Sequence, residues 1–430
     1  MELRNLRYPQ YNMNKKEIIY QTRQDLIDYD TACRLESRIL TAIEKRDTES
    51  IINSFLTEAQ QGFHKIINET KQEDHIILPI FLRNQTPGHV YTRCLHHIVT
   101  VLEQQKQHAK AVEILNSIYN QDIYCQHYKG RWLERLAINY ESHLKRHDDA
   151  FMIVKKGLKD PNVFFAFRYT LYMRAKKLLK NSKVKIVSTI ATIPEYEFSK
   201  CKEVTIQAKT LRKSIEGRKT IFIDSNAKGD HHHCISVEQA ALNHYLQNGF
   251  SQGLHSESTV YHALLGLLFW DIIYQDVQDA FRFKYQTLPL DFVSHHFYAE
   301  RKEAIEGRLQ LIRSATLPEL YQMMDNVWGS EMGCMSIIAW DSCDLSQLKE
   351  IVCCLGNDTL AAVCERLLRY FRYTRSGFPD LIVWDVSSRK IKAVEVKGPG
   401  DSLSSKQILW LEYFNNCSLP AEVCYVKAAK

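Results

Sequence analysis

Apolar residues in the first half of the chain recur at helical spacing. Leu95, Ile98, Val99 and Leu102 fall at i, i+3, i+4 and i+7, Leu133, Leu136, Ala137, Tyr140 and Leu144 repeat the pattern, and Phe151, Val154 and Leu158 give a shorter stripe. Polar, turn-prone stretches at 104–107, 120–130 and 160–161 separate the stripes. Paired short helices of this size predict an array of helical hairpins like tetratricopeptide repeats, although no strict repeat signature is present. Such an array buries one face and offers a concave one, a shape suited to cradling a duplex.

The period changes between 203 and 224. Val204, Ile206 and Ala208 alternate with polar residues, as do Ile221 and Ile223, which predicts a small hairpin joining two units. Helices resume at Ser236, which can cap a helix over 237–247 with Ala240, Ala241 and Tyr245 on its apolar face. The last fifty residues change character again. A β-branched run at 380–384, a polar turn at 385–389 and a second strand at 391–396 are followed by the breaker Gly398-Pro399-Gly400-Asp401. Ser404 can cap a helix running to about Asn415, and 421–427 alternates as a third strand. The order is β-β-α-β, and its first two strands can deliver side chains to a common edge.

A chain of 430 residues with 45% hydrophobic residues has material for two or three packed units. The apolar run at 263–274 carries Asp271 at its centre and is too short to span a bilayer. The N-terminal residues are polar and lack a signal-peptide core, so a soluble intracellular protein is expected. Twelve cysteines are scattered with no Cys-x-x-Cys pair, which reads as buried free thiols rather than a disulfide or zinc scaffold. The net charge of +6 is mild, but 129–219 holds 22 Lys and Arg against nine Asp and Glu. A basic middle is the footprint of a phosphate-backbone ligand, and solvated basic helices are the plainer alternative.

The sharpest constellation is Pro379-Asp380, fourteen residues, then Glu395-Val396-Lys397. Phosphodiester hydrolysis needs a divalent ion to neutralise developing charge and ready a water, and Mg²⁺ is held by two or three carboxylates with its remaining positions hydrated. Glu395 and Lys397 stand two apart on a strand and project from one face; Asp380 opens the partner strand and can meet them there. The plain alternative is a solvent-facing Glu–Lys pair on a hairpin. Two further features stand nearby. The tract Asp230-His231-His232-His233-Cys234 reads as a histidine-rich loop, since consecutive residues cannot all face one ion. Gly253-x-His255-x-Glu257 offers a supporting carboxylate, Glu257, which is kept outside the ligand set.

In this setting the residues resemble the VRR-nuclease branch of the restriction-endonuclease-like superfamily. Upstream, Ile123-Tyr124-Cys125, Gly130-Arg131-Trp132, His143-Leu144-Lys145-Arg146, Ser236-Val237-Glu238-Gln239-Ala240 and 266–273 resemble the Fanconi-associated nuclease family. The resemblance implies an α/β protein, with an N-terminal helical-repeat region followed by a C-terminal restriction-endonuclease-like nuclease on a mixed central sheet. It divides the chain into an N-terminal helical segment (1–75), a repeat-like DNA-binding region (76–200), linking hairpin and helices carrying Glu238 (201–310) and the nuclease domain (311–430). It implies Glu238, Asp380, Glu395, Lys397 and Gln407 as catalytic residues, with Glu238, Asp380, Glu395 and the Val396 carbonyl holding Mg²⁺ or Mn²⁺. On Glu238 alone, a helix-start glutamate complementing the dipole would be the ordinary reading.

The family resemblance further implies 5′-flap endonuclease and 5′-to-3′ exonuclease action on branched DNA, in interstrand crosslink repair in the nucleus. Arg131, Arg372 and Lys406 match its pocket for a DNA 5′-phosphate, a task suited to charge-assisted contacts. Phe167 stands where the family pattern has a histidine. The chain starts near the helical region and lacks the family's ubiquitin-binding zinc finger and SAP-type segment. A short form is therefore expected, with ubiquitin-dependent recruitment in doubt, and a homodimer on DNA is compatible with it. An inactive DNA-binding scaffold and a four-way-junction resolvase are the other readings of the same residues.

Overall fold

The computed structural model describes residues 6–69, 78–180, 201–209, 222–223 and 234–429. They fall into two compact units, one of residues 16–197 and one of residues 1–15 with 198–430. The segment expected at 1–75 is thus divided between them. The reason is local: Tyr11 stacks on Phe281 with ring centroids 4.1 Å apart, and its hydroxyl takes the Gln286 amide at 2.7 Å.

The first unit is helical. α1 (Arg23–Lys45) starts at a Thr22–Asp25 capping box and stops at Arg46, whose φ of 58° ends the turn. α2 (Thr48–Ser50) passes through a π-helical turn into α3 (Leu56–Glu69). Then follow α4 (Pro87–Gln104), α5 (His108–Tyr119), α6 (Lys129–Ile138), α7 (His147–Lys159) and α8 (Phe165–Leu179). The stripes Leu95–Ile98–Val99–Leu102, Leu133–Leu136–Ala137 and Phe151–Val154–Leu158 meet in a single core. Trp132 is fully buried there and donates its indole N–H to His96 Nδ1 at 3.2 Å.

The second unit contains a five-stranded mixed sheet. In chain order its elements are β1 (Lys202–Ala208), β2 (Phe222–Ile223), β3 (Cys234–Ile235), α9 (Val237–Gln247), β4 (Gln252–His255), α10 (Thr259–Ile273), α11 (His295–Glu300), α12 (Lys302–Ser314), α13 (Leu317–Glu331), α14 (Leu345–Leu355), α15 (Asn357–Thr374), β5 (Leu381–Asp385), β6 (Lys390–Lys397), α16 (Ser405–Asn416) and β7 (Ala421–Ala428). The strand order is β1-β7-β6-β5-β4, parallel at β1/β7 and β7/β6, antiparallel at β6/β5 and β5/β4.

This corrects the expected hairpin at 203–224. β1 does not fold back on residues 222–223, residues 210–221 lying outside the described residues; it adds to the sheet edge, with Val204 opposite Cys424 and Ile206 opposite Val426. β2 instead pairs with β3. Alternation reveals that a segment is a half-buried strand but not which strand will pair with it, and here the partner lies more than two hundred residues away. Of the expected tract at 230–234, residues 230–233 lie outside the described residues; Cys234 is exposed on β3.

Strand alternation splits the side chains between two layers. Leu381, Val383, Val394 and Val396 point to the side where α9 packs with Ala241, Leu242 and Tyr245. Ile382, Trp384 and Ala393 point to the other side, against Trp410 and Phe414 of α16 and the buried face of α10. Covered on both faces, β5 reads as a nearly continuous apolar run at 381–384, whereas β6 carries Lys390, Lys392, Glu395 and Lys397 among its apolar residues. α10 is buried almost all round within this layer, and among the described residues no helix is long and apolar enough to cross a membrane. All twelve cysteines are free thiols.

Candidate active site

Glu395 sits on the α16 face of β6, in phase with Ala393 and Lys397. Its exposure is 0%, an expensive position for a carboxylate unless it is paired. Its Oε1 accepts from Lys397 Nζ at 2.7 Å and from Gln407 Nε2. Its Oε2 is buried and, among the described residues, receives no N–H or O–H donor, while the Asp380 carboxyl lies within hydrogen-bonding reach of the Glu395 carboxyl. Burial, and next the neighbouring Asp380 carboxylate, push its pKa up to about 8, although the Lys397 ammonium pulls the other way.

Asp380 is the residue before β5, brought to Glu395 by the antiparallel register that places Leu381 opposite Val394. Its Oδ2 accepts the Val396 amide at 2.8 Å. Burial raises its pKa; the Val396 N–H and Lys397 oppose that, and the charge of Glu238 adds to it. Glu238 therefore acts on Asp380 electrostatically from the first turn of α9, where Ser236 caps the helix through the Gln239 amide at 3.1 Å. Gly253 lets α9 approach: a Cβ there would lie 2.5 Å from Leu242 Cδ1 and 2.9 Å from Val383 Cγ1.

Gln407 is held by a capping box. Ser404 Oγ accepts the Gln407 amide at 3.3 Å, and Gln407 Oε1 accepts the Ser404 amide at 2.8 Å. With its oxygen occupied, the side-chain NH₂ is the end that faces Glu395. Gly377, at φ +90°, lets the chain before Asp380 pass close to the same turn; a Cβ would come within 2.6 Å of Lys406 Cβ.

The structure thus brings Asp380, Glu395, Lys397 and Gln407 into one hydrogen-bonded group, with Glu238 acting on it by charge. It also adds two residues that sequence reasoning left out. His255 and Glu257 place a ring nitrogen and a carboxylate oxygen within 4.8 Å of each other and of an Asp380 oxygen. The signal for them was the pairing of β4 with β5, which sets His255 opposite Leu381; in the sequence only the spacing of Gly253, His255 and Glu257 hinted at it.

Of the anion-binding candidates, Arg372 donates from Nε to the Val293 carbonyl at 2.9 Å, and exposed Lys406 donates to Ser376 Oγ at 3.0 Å. Arg131 belongs to the helical unit, where with Lys106, His108, Arg135 and His143 it lines a cavity of about 570 Å³. Phe167 packs over Gly130, where a Cβ would fall 2.5 Å from the ring.

A buried carboxyl group and a half-buried one crowded together, the first with an oxygen that receives no N–H donor, fit a divalent cation. Hard oxygen donors suit Mg²⁺ or Mn²⁺, and a dication would compensate the crowding that raises both carboxyl pKa values. Glu238, Asp380 and Glu395 are the side chains that could hold it.

Residues 25–179 match the TPR domain of Fanconi-associated nuclease 1, and residues 318–428 match the VRR-NUC domain. The chain is 37% identical to mouse Fanconi-associated nuclease 1 and 36% identical to the human protein, over 100% of its own length and 42% of theirs. It is 29% identical to the Arabidopsis thaliana homolog, again over 100% of its length and 46% of that protein. It therefore spans less than half of these relatives. The fold is similar to a crystal structure of paFAN1 bound to 2-nt 5′-flap DNA with a gap, with a TM-score of 0.69 at 20% identity, covering 99% of this chain and 66% of that one.

Proposed function

The chain belongs to the Fanconi-associated nuclease family, and on that premise we propose that it is a divalent-metal-dependent nuclease that hydrolyses phosphodiester bonds in branched DNA. The substrate class is a 5′ flap, cut endonucleolytically and then trimmed in the 5′-to-3′ direction. The cofactor is Mg²⁺ or Mn²⁺, and the setting is interstrand crosslink repair in the nucleus. The observation that carries this reading is the buried Glu395 carboxylate, one oxygen tied to Lys397 and Gln407 and the group crowded against the Asp380 carboxyl with no cationic or N–H donor for its second oxygen.

Glu238, Asp380, Glu395 and the Val396 carbonyl hold the metal in this reading. When bound, the ion supplies charge neutralisation at the phosphate and lowers the pKa of attacking water. The protein's own groups do the rest. Lys397, 12% exposed beside Glu395, orients the water and stabilises the charge that grows on phosphate oxygens as the water oxygen bonds to phosphorus and the sugar oxygen departs. Gln407 holds Glu395 through its Oε1 and so fixes the carboxylate beside Asp380. Arg372 and Lys406 supply cationic contacts for a terminal phosphate, and the repeat-like region 76–200, with Arg131, carries basic residues for the duplex.

A radiolabelled 5′-flap duplex, with and without its 5′-phosphate, tests the reading. Cutting should require Mg²⁺ or Mn²⁺ and stop with EDTA. Lys397→Ala should lower single-turnover cutting by about 100-fold or more while leaving binding nearly intact. Unchanged cutting by that variant overturns the assignment.

A further inference from the structure

We propose that the loop tip Arg282-Phe283-Lys284-Tyr285 is a stacking platform for unpaired DNA bases, holding the single-stranded arm of a branched substrate. The proposal rests on the reading of the chain as a nuclease of branched DNA and extends it to a surface outside the acidic site.

Two large rings face solvent at this tip. Phe283 is 54% exposed and Tyr285 65% exposed, and Lys284 between them is exposed as well. Loop tips ordinarily carry small polar residues, since an exposed ring forgoes the gain of burial. The Tyr8 ring stands 5.3 Å from that of Tyr285, tilted by 57°, and Lys284 Nζ lies 5.5 Å from the Tyr285 centroid.

The backbone beneath the rings is fixed. Leu290 donates its amide to the Ala280 carbonyl at 2.8 Å and closes the base of the loop. Inside it, the buried Gln286 side chain accepts the amides of Arg282 and Phe283 at 2.6 and 2.8 Å. The same side chain donates to the carbonyls of Ala280 and Leu288 at 3.1 and 3.3 Å. The Tyr11 hydroxyl accepts the Gln286 amide and donates to the Phe283 carbonyl at 2.9 Å. Asp279, fully buried at φ +60°, ion-pairs with Arg282. The polar groups of the loop are thus turned inward and the two rings outward. Ordering entropy is lost on folding rather than on binding, which favours a rigid display surface.

Charge selects the occupant. Residues 280–290 hold Arg282 and Lys284 and no acid, while the preceding Asp276 and Asp279 are engaged by Asn12 and Arg282. Arg7, next to Tyr8, adds an exposed guanidinium. A ring accepts the face of any base and a neighbouring cation the phosphate beside it, which is how single strands are bound without regard to sequence. Bases inside a duplex are stacked on one another and offer no free face, so the tip selects an unpaired arm. Lysine is depleted in the cores of protein interfaces, which speaks against a protein in the same place.

The tip stands away from the bond to be cut. Ser256 and Glu257 donate their amides to the Asp380 carbonyl at 3.0 and 3.3 Å, and α10 starts just beyond them. Its fifteen residues measure about 22 Å, and at its far end the Tyr274 hydroxyl donates to the Thr287 carbonyl of the loop at 2.7 Å. The platform therefore grips the arm at a distance from the acidic site.

Fluorescence anisotropy of the whole chain with labelled oligothymidylate and with a blunt duplex, both in EDTA so that nothing is cut, tests this. Phe283→Ala/Tyr285→Ala should weaken single-strand binding by about 10-fold or more and leave blunt-duplex affinity and melting temperature at wild-type values. Phe283→Tyr/Tyr285→Phe keeps both rings and should bind as wild type does. In the wild type, a strand carrying 5-iodouracil should photocrosslink to Phe283 or Tyr285, located by mass spectrometry of the digest. Equal single-strand affinity in the alanine variant and the wild type, or crosslinks confined to other residues, overturns the platform. So does a wild-type dimer that the alanine variant dissociates with single-strand affinity unchanged, which assigns the tip to a second copy of the chain. Cutting of a 5′ flap is scored separately. A chain that binds single strands through the tip but cuts nothing overturns the nuclease reading alone.

Discussion

Gln407 faces two ways: its side-chain oxygen accepts the Ser404 amide at 2.8 Å, while its side-chain NH₂ donates to Glu395 Oε1. One residue therefore both closes the N-terminus of α16 and fixes the carboxylate on which the proposed chemistry turns. The two roles separate experimentally. Gln407→Leu removes both and should weaken metal affinity and cutting by about 10- to 100-fold. Ser404→Ala removes only the cap, costing roughly 1 kcal/mol of stability, and should leave cutting per folded molecule close to wild type. Urea unfolding and Mn²⁺ titration of both variants check this; equal losses of affinity would reduce Gln407 to a helix cap.

Gly253 governs how closely the helix bearing Glu238 approaches the sheet. In Gly253→Ala the new methyl group meets Leu242 Cδ1 and Val383 Cγ1. Overpacking of this kind costs about 1–3 kcal/mol and should carry Glu238 away from Asp380, lowering metal affinity as well. Adding Leu242→Ala removes the nearer obstacle and should recover part of both losses, since the two changes share one contact. Melting temperatures and Mn²⁺ affinities of the single and double variants read the coupling directly.

His96 makes the helical unit sensitive to acid. Burial first, and then the Arg131 charge, bring its pKa down to about 4 from 6.5, while its Nδ1 accepts the Trp132 indole N–H and so must carry no proton. Because the folded value lies below the unfolded one, the stabilisation is complete above pH 6.5 and is lost as pH falls toward 4. The shift corresponds to a loss on the order of 3 kcal/mol. His96→Gln keeps a side-chain acceptor without the titration. The urea midpoint of the wild type should therefore fall more between pH 7 and pH 4.5 than that of the variant; parallel slopes would show that His96 is not the group responsible.

How far each feature could be read in the sequence follows from how local its cause is. The helix at Ser405–Asn416 and the turn at 385–389 were legible because their determinants sit within a few residues. Ser404 and Gln407 form the cap, and the Asp385 carboxylate accepts from the Ser388 amide at 2.8 Å. The buried stripes of α4, α6 and α7 were legible for the same reason. The partner of β1 was not, since a parallel pair between Lys202–Ala208 and Ala421–Ala428 leaves no mark in either segment alone. The meeting of Asp380 with Glu395 and Lys397 followed from strand period and pairing. The addition of His255 and Glu257 depended on which strand lies at the far edge of the sheet, and periodicity does not encode that.

The central claim is that Glu238, Asp380 and Glu395 share divalent cation. Anomalous diffraction from a Mn²⁺-soaked crystal, collected at the manganese edge, tests it most directly. The account predicts a peak about 2.1–2.2 Å from carboxylate oxygens of Asp380 and Glu395 and from the Val396 carbonyl, with Glu238 turned toward it. A fully soaked crystal with no peak beside Glu395, or with its only peak at distant histidines, would contradict it.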